Sequence, residues 1–93
     1  MKLENKEMNL NLLQEECAEL IQAVSKLRRF DIDFVNPIDG VSNRESLIQE
    51  IADVRVFLSA VTKDYNITLD EMVDAIDRKM LKLETWYTRT SGR

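Results

Sequence analysis

The chain has 93 residues and a formal net charge of −4, with 44% hydrophobic and 32% charged residues and no histidine. This length accommodates one small domain, and the composition is that of a globular chain. The absence of histidine excludes Ser–His and Cys–His nucleophile systems and histidine-ligated zinc. The single cysteine, Cys17, excludes an internal disulfide and a thiolate zinc site. Two glycines and one proline favour long helices over a turn-rich β fold.

The same composition bears on partners and location. The net negative charge disfavours nonspecific binding to nucleic acid. No apolar run approaches the roughly 20 residues that a membrane span needs. Residues 1–7 are too polar for a signal peptide. We therefore expect no nucleic-acid partner, no membrane partner and a cytoplasmic location.

Apolar residues that recur at alternating steps of three and four predict a first helix over about residues 3–29. Its expected core stripe consists of Leu10, Leu13, Cys17, Leu20, Val24 and Leu27. The basic residues in its last turn suit the negative end of the helix dipole.

Residues 31–42 interrupt the helical pattern with Pro37 and Gly40. This stretch is long for a connection between two helices. It contains apolar side chains, among them Phe34 and Ile38, that need a surface to pack on. We therefore predict an ordered arm or lid rather than a flexible linker.

Two capping boxes mark the starts of the next helices. Ser42-x-x-Glu45 predicts the start of a second helix, and Thr68-x-x-Glu71 predicts the start of a third. The polar residues 88–93 are expected to form a frayed tail. The chain is thus predicted to be a single all-α domain, residues 1–93, with three main helices. The expected core positions of the last two helices are Leu47, Ile51, Val54, Leu58, Val61, Tyr65, Leu69, Met72, Ile76, Leu83 and Tyr87.

Acidic residues form two clusters, EExxE on the first helix and ExxD on the second. The five acids are Glu15, Glu16, Glu19, Glu50 and Asp53. Residues three apart share a helix face, so each helix presents a pair of carboxylates on one face. On a helical projection both pairs lie beside apolar residues, at the edge of a surface that is expected to be buried.

Converging carboxylates repel one another unless cations neutralise them. Hard divalent ions such as Mg²⁺ and Mn²⁺ prefer oxygen ligands, and a cluster without histidine fits Mg²⁺ better than zinc or a di-iron centre. The alternative is that these acids form solvated helix faces or pair with Lys and Arg of neighbouring helices.

Four further residues are candidates for substrate binding. Lys79 projects into the apolar face of the third helix, where its ammonium reaches the acids, a substrate phosphate or, by snorkelling, solvent. Lys82 lies nearby and is expected to be more exposed. Phe34 and Trp86 are candidates to stack on a nucleobase, and the alternative for both is packing in the core or in a dimer.

The segments LLQEECAELIQAVSK and ESLIQEIADVRVFLSAV resemble the MazG-like nucleotide pyrophosphohydrolases of the all-α NTP pyrophosphatase superfamily. The similarity covers roughly residues 8–87, and the EExxE and ExxD motifs are both intact and in order. The resemblance implies hydrolysis of the α–β phosphoanhydride of a nucleoside triphosphate to a monophosphate and pyrophosphate. It also implies Mg²⁺, or Mn²⁺ in its place, bound by Glu16, Glu19, Glu50 and Asp53. Glu15 would bind a further ion or orient the attacking water.

The resemblance further implies a homodimer or homotetramer. The first helix supports this independently, because it has apolar residues on two sides that three helices of one chain cannot both cover. We predict a helical bundle completed by dimerisation, or by a dimer of dimers. The alternative function is a non-catalytic helical oligomer that acts as a nucleotide-binding or regulatory module. Metal-dependent release of pyrophosphate distinguishes the two.

Overall fold

A computed structural model describes residues 5–91. Within this range the chain forms three helices and no β-strand: α1 (Lys6–Arg29), α2 (Asn43–Asp64) and α3 (Leu69–Ser91). The predicted all-α class is confirmed. Helix α3 extends into residues 88–91, a stretch expected to be part of a frayed tail. Residues 92–93 of that tail and residues 3–4 of the predicted first helix lie outside the described residues. No helix in the described range is long and apolar enough to cross a membrane.

Both capping boxes that the sequence predicts are present. The Ser42 hydroxyl accepts a hydrogen bond from the Glu45 backbone N–H at 3.0 Å and donates to the Glu45 carboxylate at 3.2 Å. The Thr68 hydroxyl accepts from the Glu71 backbone N–H at 3.1 Å. The backbone N–H and hydroxyl of Thr68 both donate to the Glu71 carboxylate at 3.0 Å, which lowers the pKa of Glu71. These bonds satisfy N–H groups that the first turn of a helix leaves without partners.

Helices α1 and α2 pack against each other as an antiparallel pair. The Asn9 side chain, 1% exposed near the start of α1, donates a hydrogen bond of 2.8 Å to the Asp64 carboxylate at the end of α2. The buried apolar residues of the pair are Ala23, Val54 and Ala60. Small side chains at this contact let the two backbones approach closely, so residues on the facing sides are brought together.

The arm, residues 31–42, is held by its own backbone hydrogen bonds. The Asn36 N–H donates to the Val41 carbonyl at 2.9 Å, and the Gly40 N–H donates to the Asn36 carbonyl at 2.8 Å. Gly40 has a φ of 72°, a conformation that glycine adopts without steric cost. Val35 and Ser42 form an antiparallel bridge across the base of this turn. The arm therefore delivers the chain to the start of α2 in a defined geometry.

Helix α3 makes no packing contact with α1 or α2 within the described residues. The radius of gyration is 17.1 Å, whereas a compact chain of this length has about 12 Å. The accessible surface is 7,881 Å², whereas a compact monomer of this mass exposes about 5,600 Å². One chain thus exposes more surface than a compact fold of its mass, and many large apolar side chains are among the exposed residues.

The predicted core positions show the same incompleteness. On α2, Val54 is buried, but other members of its expected core stripe are exposed. On α3, Leu83 is half-buried and the other expected core residues are exposed. The expectation of burial is therefore not met within one chain, because no element of the described chain covers these faces. The affected residues are Val24, Ile51, Leu58, Tyr65, Leu69, Met72, Ile76 and Tyr87.

The Asn9–Asp64 hydrogen bond gives a prediction about stability. Replacing Asn9 with Ala leaves the half-buried Asp64 carboxylate without this donor, and we expect the free energy of unfolding to fall by about 1–3 kcal/mol. The matched control is Asn11→Ala, an exposed position on the same helix, which should change it by no more than about 0.5 kcal/mol. Urea denaturation at a fixed chain concentration measures both. Equal effects of the two substitutions would contradict the prediction.

Candidate metal centre

The antiparallel packing of α1 and α2 brings together three of the five predicted acids. One carboxylate oxygen from each of Glu16, Glu50 and Asp53 lies within 4.8 Å of the other two. Glu50 and Asp53 share a face of α2 because they are three residues apart, and Glu16 faces them from α1. We call these three residues the acid cluster. Three convergent carboxylates form a ligand set that suits a hard divalent cation.

Two oxygen atoms of the acid cluster lack hydrogen-bond partners. The Oε2 atoms of Glu16 and Glu50 are buried, and neither has a partner among the described residues. A buried carboxylate oxygen without a donor is costly, and a bound cation removes this cost. Asp53 is oriented by the Gln49 side-chain amide, which donates to its Oδ1 atom at 2.8 Å. Glu16 and Glu50 are thus half-buried rather than fully solvated, and the residues present fit a metal ion.

Electrostatics in the acid cluster point the same way. Burial raises the pKa of Glu50, and the negative charges of Glu19 and Asp53 and a side-chain hydrogen bond with Glu19 raise it further. The positive charge of Lys26 opposes this rise. Burial also raises the pKa of Glu16, with further contributions from the charges of Glu19, Asp53, Glu50 and Glu15. The negative charge of the cluster is thus only partly compensated by this chain.

The other two predicted acids lie at the rim. Glu19 is exposed and stands outside the acid cluster, although its charge acts on both Glu16 and Glu50. Glu15 is exposed and acts on Glu16 by its charge. At these exposed positions, a metal ion or a water molecule can reach either carboxylate from solvent. The individual roles of Glu15 and Glu19 remain predictions.

Three of the four predicted substrate-binding residues lie on a different helix from the acid cluster. Phe34 stacks on Phe30 with ring centroids 4.7 Å apart and an interplanar angle of 18°, so one face of its ring is occupied by that of Phe30. Lys79, Lys82 and Trp86 are on α3, which does not pack against α1 or α2. Their roles in substrate binding also remain predictions.

A group of polar residues beside the acid cluster was not predicted from the sequence. A cavity of about 180 Å³ between α1 and α2 is lined by Glu19, Gln22, Ala23, Lys26, Ser46 and Glu50. Gln22 and Lys26 follow Glu19 by three and seven residues, a spacing that places all three on one face of α1. That periodicity is a sequence signal that could have grouped these three residues of α1. Only the register of the helix pair shows that Ser46 of α2 lines the same cavity.

The raised pKa values give a prediction about the metal-free protein. The folded state holds protons on Glu16 and Glu50 more readily than the unfolded chain does, so their contribution to stability is lost as the pH rises through the raised pKa values. Glutamine carries no charge, so Glu50→Gln should raise the Tm in chelator, and more at about pH 8 than at about pH 5. Thermal melts at the two pH values measure this, with Asp33→Asn, an exposed acid of the arm, as control. A Tm gain that does not grow with pH would contradict the prediction.

Comparison with known proteins fits this geometry. The sequence profile of the family described as phosphoribosyl-ATP pyrophosphohydrolase matches residues 1–80. No curated protein and no solved structure matched the chain. The family lies within the MazG-like all-α NTP pyrophosphatase superfamily, so the resemblance noted from the two acidic motifs is confirmed. The chain belongs to the phosphoribosyl-ATP pyrophosphohydrolase family, whose activity is pyrophosphohydrolysis of nucleotides.

Proposed function

We propose that the chain is a Mg²⁺-dependent pyrophosphohydrolase that cleaves the α–β phosphoanhydride of a nucleoside triphosphate. One observation carries the metal dependence: three carboxylates converge where two helices meet, and two of their oxygen atoms are buried without partners. Family membership supports the nucleotide substrate and the type of reaction. The products are a nucleoside monophosphate and pyrophosphate.

The proposed reaction is a hydrolysis. The oxygen of a water molecule bonds to the α-phosphorus, the bond from that phosphorus to the bridging oxygen breaks, and pyrophosphate leaves with the electron pair. Because the sequence contains no histidine, a carboxylate is the available acceptor for the water proton. When bound, Mg²⁺ supplies charge neutralisation at the phosphates and activation of water.

The acids have distinct places in this scheme. Glu16, Glu50 and Asp53 hold the cation, and Glu19 at the rim is the fourth carboxylate within reach of its charge. Glu15 either orients the attacking water or binds a further ion. Mn²⁺ offers the same preference for oxygen ligands and is expected to substitute for Mg²⁺.

Phosphoribosyl-ATP is the second candidate substrate, because the matching family bears its name. Its name shows an ATP moiety, so the same anhydride chemistry applies to it and to a free nucleoside triphosphate. A panel of both kinds of substrate separates the two possibilities without changing the assignment of the acids.

We also propose that the active form is a homodimer or a dimer of dimers. One chain exposes about 2,300 Å² more than a compact monomer of its mass, an excess in keeping with the interfaces of obligate oligomers. Most of the apolar side chains of α3 are exposed, and a second copy supplies a surface of matching character. In such an assembly Lys79, Lys82 and Trp86 can approach an acid cluster, which they do not reach within their own chain.

The activity is tested by measuring pyrophosphate release. With Mg²⁺ present, a panel of common and modified nucleoside triphosphates together with phosphoribosyl-ATP should contain at least one substrate. Asp53→Asn should lower kcat/KM by about 100-fold or more, because it removes a charged ligand from the acid cluster. Asp33→Asn removes the same charge from the exposed arm and should leave the rate unchanged. The proposal fails if no member of the panel is hydrolysed with either Mg²⁺ or Mn²⁺.

The assembly is tested by light scattering coupled to gel filtration. The wild-type chain should have the mass of two or four chains. Ile76→Glu places a charge in the uncovered apolar face of α3 and should shift the mass towards that of one chain. Thr85→Glu places the same side chain on the opposite side of α3 and should leave the assembly intact. A wild-type protein that elutes as a single chain would rule the assembly out.

A further inference from the structure

The cavity between α1 and α2 adjoins the acid cluster. Its volume is about 180 Å³, and Glu19 and Glu50 are among the residues that line it. Glu50 also belongs to the acid cluster, so a ligand in the cavity lies next to any cation held by these carboxylates. This volume is well above the space that one water molecule needs, so the cavity has room for a phosphate group.

The remaining polar wall consists of hydrogen-bond donors. Lys26 contributes an ammonium, Gln22 a side-chain amide and Ser46 a hydroxyl. Ser46 lies in the first turn of α2, where the helix dipole adds partial positive charge. Because α1 and α2 are antiparallel, Lys26 and Ser46 lie towards one end of the cavity and Glu19 and Glu50 lie towards the other. This distribution suits an anion whose neighbouring group is bound to a cation.

The position of Lys26 supports this distribution. Lys26 and Glu50 both line the cavity, so the ammonium lies beside the carboxylate that the cavity shares with the acid cluster. A phosphate placed between a cation at the acids and the ammonium of Lys26 would be neutralised from both sides.

We propose that this cavity is a phosphate subsite, in which Lys26 pairs with a phosphate group of the nucleotide's polyphosphate chain and Ser46 and Gln22 donate hydrogen bonds to it. The assignment rests on the proposed function, since it places the group that leaves as pyrophosphate beside the metal. Lys26 is then a positioning residue. It strengthens binding of the polyphosphate chain and fixes which anhydride lies at the metal.

A simple counter-ion role for Lys26 makes a different prediction. If Lys26 only balances the charge of Glu50, its loss alters the affinity for Mg²⁺. The affinity for pyrophosphate then changes in the same direction as the affinity for Mg²⁺. If Lys26 binds phosphate, its loss weakens pyrophosphate binding, whereas Mg²⁺ alone binds at least as tightly because a nearby positive charge has been removed. The two ligands thus respond in opposite directions.

Calorimetric titration of the full chain tests the subsite, with inorganic pyrophosphate at saturating Mg²⁺ and with Mg²⁺ alone. Lys26→Met keeps the aliphatic stem and should weaken pyrophosphate binding by about tenfold or more. Lys26→Arg should retain most of the affinity, and Ser46→Ala should show a smaller loss. The control is Lys63→Met, an exposed lysine in the last turn of α2, roughly 20 Å along the helix from Glu50, which should bind like wild type.

Three results would overturn the subsite: a wild-type chain that does not bind pyrophosphate, a Lys26→Met variant that binds it like wild type, or equal losses of Mg²⁺ and pyrophosphate affinity in that variant. Failure of the proposed function looks different. In that case pyrophosphate binds and depends on Lys26 as expected, which supports the subsite, but no nucleotide in the substrate panel is hydrolysed.

Discussion

Repulsion among the carboxylates of Glu16, Glu50 and Asp53 is the constraint on which this structure depends. Helices α1 and α2 pack closely through Ala23 and Val54, and this packing also carries the three acids into contact. Two of their oxygen atoms are buried without partners among the described residues, which is costly while no cation neutralises them. A divalent ion held by these carboxylates, as proposed above, would remove this cost.

The single chain also leaves α3 unpacked within the described residues. It measures 51 × 45 × 16 Å, a flat outline in which α3 stands away from the helix pair. The acid cluster is formed by α1 and α2 alone. Within one chain, the basic and aromatic residues of α3 lie on a helix that does not pack against this pair. A division of this kind suits a protein in which each chain carries its own metal ligands and assembly brings in other parts of the substrate site.

Much of the fold follows from local signals in the sequence. The capping boxes at Ser42 and Thr68 locate the starts of α2 and α3, because they report hydrogen bonds within one helical turn. Helical periodicity indicates apolar faces but not what covers them. Most of the expected core positions of α3, such as Ile76, are therefore exposed in the single chain, although burial was predicted.

The candidate site divides in the same way. The EExxE and ExxD spacing places acids on faces that adjoin apolar residues, but spacing alone also allows solvated or ion-paired acid faces. The set Glu16, Glu19, Glu50 and Asp53 came from the family resemblance, and the structure brings Glu16, Glu50 and Asp53 together with Glu19 outside the group. The role of Ser46 could not be predicted, because it depends on which turn of α2 lies opposite Lys26. That register is set by contacts between helices, among them the Asn9–Asp64 hydrogen bond, rather than by any local motif.

The most direct measurement of the central claim is anomalous X-ray diffraction from crystals of the protein grown with Mn²⁺. We expect a strong anomalous peak among the carboxylates of Glu16, Glu50 and Asp53, at the short metal–oxygen distances typical of such ions, about 2.0–2.2 Å. A peak elsewhere with none at the acid cluster, or a Lys or Arg side chain occupying the space between these acids, would contradict the claim.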